Sequence, residues 1–135
     1  DLSFEKKKIL KKKIIDMEIK KTGKLFSFCC MAPAIIKNRS LKEINSFEKI
    51  GSDIGLLFQI ADDLIDYQGS SKIAGKKTKK DEKKGKATLI SLLGYKNAIK
   101  YSDKIKSKII NNLKKYGVST KNISETLNYI LTRNK

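Results

Sequence analysis

The chain contains no histidine. That removes the side chain most used for proton transfer near neutral pH and argues against a zinc site. Its only two cysteines are adjacent, Cys29 and Cys30. A vicinal pair is poorly placed for an ordinary disulfide, and a chain without other thiols suits the reducing cytoplasm. Long apolar runs are lacking too. The longest, residues 25–36, is broken by Ser27, the two cysteines and Pro33, and it falls short of the roughly 20 apolar residues a membrane-spanning helix needs. No stable membrane insertion is therefore expected, and no alternating strand pattern is present.

Acidic residues are scarce as well: 14 against 31 basic ones, for a formal net charge of +17. Such a charge is compatible with nucleic acid or an anionic membrane surface as partner. The details argue against nucleic acid. Nearly all the cations are lysine; only Arg39 and Arg133 are arginine, the residue whose planar fork reads phosphates and base edges. No zinc finger or RNA-binding aromatic motif appears.

Against that background, residues 55–66, GLLFQIADDLID, gather Asp62, Asp63 and Asp66 in one apolar run. Aspartate is a poor residue for a helix interior. At 3.6 residues per turn, Gln59, Asp62, Asp63 and Asp66 form one polar stripe, while Leu57, Ile60, Ala61, Leu64 and Ile65 read as core. Like charges four apart repel by a few tenths of a kcal/mol. A hard divalent cation such as Mg²⁺, which prefers carboxylate, water and phosphate oxygens, would remove that repulsion. Spacing alone leaves this reading beside a plainer one, a solvated acidic face paired with lysines.

Hydrophobic periodicity reads as all-α. Residues 2–20 form a charged helix, with Leu2, Ile9, Leu10, Ile14, Ile15 and Met17 marking its apolar face. Lys21-Thr22-Gly23 then interrupts the pattern, either as an ordinary helix end with Lys21 near the C-terminal carbonyls or as a kink that would turn Lys21 and Thr22 toward a cavity. A second helix spans about 24–37. Ser40-Leu41-Lys42-Glu43 has the capping-box pattern, so a third helix starts there and ends near Gln68. Gly51 and Gly55 share one face of it and predict close approach of a neighbour. Residues 69–85 read as a lysine- and glycine-rich loop, either a solvated basic loop or a lid over an anionic ligand. Helices follow at about 87–93, 95–116 and 120–132. The middle one carries a stripe of Ala98, Ile99, Ile105, Ile109, Ile110 and Leu113, with Gly117 as its C-cap.

Three elements, in order, resemble one family. Phe58-Gln59 followed by Asp62, Asp63 and Asp66 is similar to the second aspartate-rich motif, F-Q-x-x-D-D-x-x-D, of the trans-isoprenyl diphosphate synthases, which include the farnesyl and geranylgeranyl diphosphate synthases. Upstream, Lys21-Thr22-Gly23 resembles the family's K-T-G. Downstream, Gly75-Lys76, Asp81, Gly85-Lys86, Thr88 and Leu92-Leu93-Gly94 resemble its glycine- and lysine-rich stretch, and Tyr129–Lys135 its C-terminus.

The resemblance implies an all-α fold, the C-terminal half of the isoprenoid synthase helical bundle around a central cavity, with residues 1–135 as part of a single polyprenyl synthetase domain. It implies a homodimeric, magnesium-dependent prenyltransferase that joins isopentenyl diphosphate to an allylic diphosphate, giving a short-chain product such as farnesyl diphosphate. Asp62, Asp63 and Asp66 would hold Mg²⁺. Lys21, Lys76 and Lys86 would contact the allylic diphosphate. Thr22 and Gln59 would line the place where the carbocation forms, and Phe58 would flank the prenyl chain.

Lys79 and Ile90 stand where the family has glycine and proline. The family's first aspartate-rich motif is missing, since Asp62-Asp63 is the only paired aspartate. The isolated chain is therefore expected to be inactive. A non-catalytic or regulatory homologue is the first alternative, and a basic nucleic-acid-binding helical protein the second.

Overall fold

The structure, a computed structural model, describes residues 2–74 and 88–132. Among these the secondary structure is entirely helical, as the periodicity predicts: α1 (Leu2–Glu18), a π turn (Ile19–Gly23), α2 (Lys24–Ile36), α3 (Leu41–Ala74), α4 (Leu89–Leu93), α5 (Tyr95–Leu113), a 3₁₀ segment (Lys114–Thr120) and α6 (Lys121–Thr132). The expectations for Lys76, Lys79, Asp81, Gly85 and Lys86 lie outside the described residues.

The interruption at Lys21-Thr22-Gly23 is a wider turn rather than a break. Glu18 and Lys24, on either side, both keep right-handed helical dihedrals. α1, the π turn and α2 thus form one continuous rod, which lies antiparallel against α3. The crossing is made by glycines. A Cβ on Gly55 would stand 2.6 Å from Gly23 Cα. One on Gly51 would stand 2.6 Å from Ser27 Cα and collide with the Phe26 carbonyl. The close approach predicted from Gly51 and Gly55 is therefore present, and it is backbone against backbone. Ser27, buried beside it, donates its hydroxyl to the Glu48 carbonyl at 3.0 Å.

α5 runs antiparallel along another side of α3. Phe47 stacks on Tyr116 at 5.0 Å between centroids, Lys108 pairs with Asp53 at 2.6 Å, and Gln68 donates to the Tyr95 hydroxyl. α6 folds back on α5, with Lys106 reaching Asn128 at 3.2 Å. The core lies between these helices. Ile50, Leu56, Leu57 and Ile60 of α3 meet Ile105, Ile109 and Leu113 of α5, Leu127 of α6 and Leu89 of α4. The predicted stripe of α5 is the buried one: Ala98, Ile105, Ile109 and Leu113 are inside, with Ile99 and Ile110 half-buried.

Three sequence expectations are corrected. First, α3 does not end near Gln68 but continues through Gly69 to Ala74. One glycine costs a helix about 1 kcal/mol, too little to stop a long packed one. Second, α5 stops at Leu113 and tightens into the 3₁₀ segment, where Gly117 adopts φ +77°. Third, the apolar face read on α1 is split. Ile14 is buried and Ile15 half-buried, while Ile9, Leu10 and Met17 are exposed, because the α1 surface turned to α3 and α4 is narrower than the apolar arc.

Caps fix the helix starts. Ser40 accepts from the Glu43 amide at 3.3 Å, as its pattern predicts. A second, reciprocal box opens α4: Ser91 N–H donates to Thr88 Oγ1 at 3.1 Å and Thr88 N–H to Ser91 Oγ at 3.0 Å. Ile90 is buried in that short helix.

Two predictions follow from the packing. Gly51→Ala should destabilise the fold by about 1–3 kcal/mol through overpacking. Gly69→Ala, with nothing within 4 Å of the new methyl, should stabilise it by about 0.5–1 kcal/mol; urea denaturation compares the two. The cysteines should differ as well. Both are free, with Cys29 exposed and Cys30 half-buried. Burial, and then the neighbouring Cys29 charge, push the Cys30 thiol above its ordinary pKa. Iodoacetamide at pH 8 should therefore label Cys29 well ahead of Cys30, and the gap should narrow as pH rises; peptide mass mapping reads the order.

Candidate functional site

The π turn assembles the first part of the site. Lys24 N–H donates to the Ile19 carbonyl five residues back, so the turn holds one residue more than an α turn. Gly23, buried against the crossing, has room for little else: a Cβ there would lie 3.3 Å from Ile19 Cγ2. In an α-helix adjacent side chains diverge by about 100°. The wider turn lessens this divergence, and Lys21 and Thr22 reach the same atom. Thr22 Oγ1 donates to Gln59 Oε1 at 3.2 Å, and Lys21 Nζ approaches it at 3.4 Å. Gln59 is only 8% exposed. Two donors on its carbonyl fix which end of the amide faces them.

One turn further along α3 come the carboxylates. Asp62 and Asp63 are half-buried, and Asp66 is exposed. The predicted polar stripe of residues 59, 62, 63 and 66 therefore runs from a buried amide to open solvent, on the side of α3 that Gly55 turns toward the rod. On its flank Phe58 is half-buried and packs against Phe26, 5.7 Å between centroids and tilted by 39°. A cavity of about 120 Å³ lies elsewhere, between α3, α5 and α6, lined by Ala61, Leu64, Ile65 and Tyr95 among others. It is on the reverse of α3 from the acidic stripe.

The structure thus brings Lys21, Thr22 and Gln59 into contact, with Phe58 beside Gln59 and Asp62 and Asp63 next along the helix. Lys76 and Lys86 lie outside the described residues. Two neighbours were not read from the sequence. Phe26 forms the apolar wall with Phe58, and its position three residues past Gly23 was the available signal. Glu18 is buried to 5% exposure, one turn before Thr22. It reads from the sequence as part of the charged face of α1, and its burial depends on what packs over it.

The donor set fits a hard cation. Carboxylate oxygens without thiolate or imidazole suit Mg²⁺, which keeps several waters and commonly shares phosphate oxygens. Among the described residues no three acidic or thiol groups close round a single point. Asp62, Asp63 and Asp66 project from one helix face, so part of an octahedral shell must come from water or a bound anion. An ammonium, a hydroxyl and an amide beside them suit the oxygens of that anion.

Comparison with known proteins identifies the family. The polyprenyl synthetase family model matches residues 1–130. Farnesyl diphosphate synthase of Micrococcus luteus is 30% identical over 135 residues, covering 100% of this chain and 46% of that protein. Farnesyl diphosphate synthase of Bacillus subtilis (strain 168) is 33% identical over 98 residues, 73% of this chain and 33% of the relative. Geranylgeranyl pyrophosphate synthase 4 of Arabidopsis thaliana is 30% identical over 119 residues, 87% of this chain and 32% of the relative. The chain spans less than half the length of these relatives. It belongs to the polyprenyl synthetase family, the trans-isoprenyl diphosphate synthases.

The Thr22–Gln59 contact is measurable apart from any reaction. In a double-mutant cycle, Thr22→Val and Gln59→Met should couple by about 0.5–1.5 kcal/mol, the net worth of a part-buried hydrogen bond. Additive effects on stability would show that the contact is not made.

Proposed function

We propose that residues 1–135 form the C-terminal part of a polyprenyl synthetase domain, and that the whole protein condenses isopentenyl diphosphate with an allylic diphosphate to give a short-chain prenyl diphosphate such as farnesyl diphosphate. The observation that carries this reading is the joining of Lys21, Thr22 and Gln59 at the π turn, one helical turn from Asp62 and Asp63. It puts cation, hydroxyl and amide beside carboxylates, with an aromatic wall alongside. A homodimer and a cytoplasmic location go with the same reading.

The required chemistry explains each residue type. The C1–O bond of the allylic diphosphate breaks, and its electron pair leaves with the diphosphate. The double bond of isopentenyl diphosphate then attacks C1, and an oxygen of the released diphosphate takes the proton lost from the resulting cation. Asp62, Asp63 and Asp66 would hold Mg²⁺, which when bound neutralises charge developing on the leaving group. Lys21, with Lys76 and Lys86, supplies further positive charge to the same oxygens. Gln59 and Thr22 orient Lys21 and present oxygens to the cationic carbon. Phe58 and Phe26 give that carbon an apolar wall that excludes water.

The test is a chimera in which this chain replaces the matching part of the Micrococcus luteus synthase. Asp62→Ala should lower its turnover by at least about a hundredfold, roughly 2.7 kcal/mol. A loss below about tenfold would remove Asp62 from the metal-binding role. The 135-residue chain alone should show no turnover.

A further inference from the structure

The cavity between α3, α5 and α6 takes no part in the diphosphate chemistry. Ala61, Leu64 and Ile65 of α3 and Ile130 of α6 give it an apolar floor. The α3 residues lie about 160° round the helix from the stripe of Gln59, Asp62, Asp63 and Asp66. Its volume is about 120 Å³. A dry cavity of about 150 Å³ admits benzene, so this one has room for a hydrocarbon body of about five carbons.

The polar groups on its wall are mostly acceptors. Ser102 is 2% exposed, and its hydroxyl donates to the Ile99 carbonyl at 2.7 Å. With that proton committed, Ser102 Oγ meets a guest only as an acceptor. Asp103, exposed at the rim, also only accepts. The Tyr95 hydroxyl already takes a proton from the Gln68 amide. Among the described residues no lysine or arginine lines the cavity, and Asp103 makes no ion pair. That is unusual for an acid in a chain with 31 basic and 14 acidic residues. An anionic head would meet a carboxylate here. A cationic head with several N–H groups would meet the carboxylate and a serine oxygen. The net charge of +17 opposes any cation, but at physiological salt that opposition is screened beyond about 8 Å.

We infer that this cavity binds a small primary alkylammonium ion, with a branched chain of about five carbons on the apolar floor and the ammonium shared by the Asp103 carboxylate and Ser102 Oγ. The site is independent of the prenyltransferase reading. It has only α3 in common with the acidic stripe: an occupant that braces Ala61, Leu64 and Ile65 braces the helical turn that carries Asp62 and Asp63.

The experiment titrates the isotope-labelled chain at pH 7 with isoamylamine, isoamyl alcohol and isovalerate, following backbone amide shifts by NMR. The three probes share a branched body and differ in head group. The amine should shift Tyr95, Ser102 and Ile130 saturably, with a dissociation constant on the order of millimolar, as so few heavy atoms allow. The alcohol should bind about three- to fivefold more weakly, as expected for loss of a partly exposed ion pair, and isovalerate more weakly still. Asp103→Asn should bring the amine to the level of the alcohol and leave the alcohol unchanged. Ala61→Leu, which fills the floor, should abolish binding of both. Asp103 is exposed and can be changed without touching the core, so the test stands even where Ala61→Leu unfolds the chain. Absence of a saturable shift with the amine overturns the proposal. So does equal binding of amine and alcohol, tighter binding of isovalerate, or an amine affinity that Asp103→Asn leaves unchanged. Neither Mg²⁺ nor diphosphate is added, so no outcome bears on the prenyltransferase reading.

Discussion

Everything near the site depends on backbone touching backbone where the rod crosses α3. At Gly51 and Gly55 there is no space for a side chain, and at Gly23 a methyl would sit tightly, 3.3 Å from Ile19 Cγ2. That contact sets the distance between the helices, and the distance decides what short side chains can reach. Thr22 has a single rotatable carbon–carbon bond, yet its hydroxyl meets the Gln59 amide at 3.2 Å. With alanine at the crossing the helices would have to separate, and a hydroxyl on so short a stem could not follow. Longer side chains such as Lys21 could, at the cost of fixed position. Small residues here are a means of placing a hydroxyl and an amide, not only of packing.

The π turn is bound up with the same crossing. It costs the rod regular hydrogen bonding over residues 19–23, and such turns persist where surrounding structure holds them. Here the holding groups are visible: Gly23 under Gly55 on one side and two donors on Gln59 Oε1 on the other. The extra residue also resets the phase of the helix.

Much of this was legible in the sequence because it rested on local rules. Gly51 and Gly55 four apart announced a close helix contact. The α5 stripe announced its buried face, and Ser40 and Glu43 announced a helix start. The polar stripe of Gln59, Asp62, Asp63 and Asp66 followed from helical period alone, and the family from the motifs around it. What was not legible depended on phase or on partners distant in sequence. A kink and a π turn look alike from Lys21-Thr22-Gly23, since both follow weak helix formers; only Gly55 and Gln59, more than 30 residues on, decide between them. The fate of Ile9, Leu10 and Met17 depended on how narrow a strip of α1 meets α3 and α4. Glu18 read as one more charge in a charged helix, because burial of a carboxylate is a property of what packs over it.

The one-sidedness of the carboxylates has a geometric cause. Residues 62, 63 and 66 lie on one arc of one helix, and an octahedral cation cannot be surrounded from one arc. Ligands must arrive from the opposite direction, from a bound anion, from water or from another element. In a chain with 31 basic and 14 acidic residues, few carboxylates remain to supply them, and Glu18, the nearest in the rod, is buried. An anion fits the surroundings better, since Lys21 reaches Gln59 at the head of the stripe and a diphosphate would bring both the missing oxygens and the charge that a lysine attracts. Such a site is weak without its anion and strong with it, because metal and anion each supply what the other needs. In the proposed reaction that dependence would be useful, since the metal would be held most firmly with the leaving group in place.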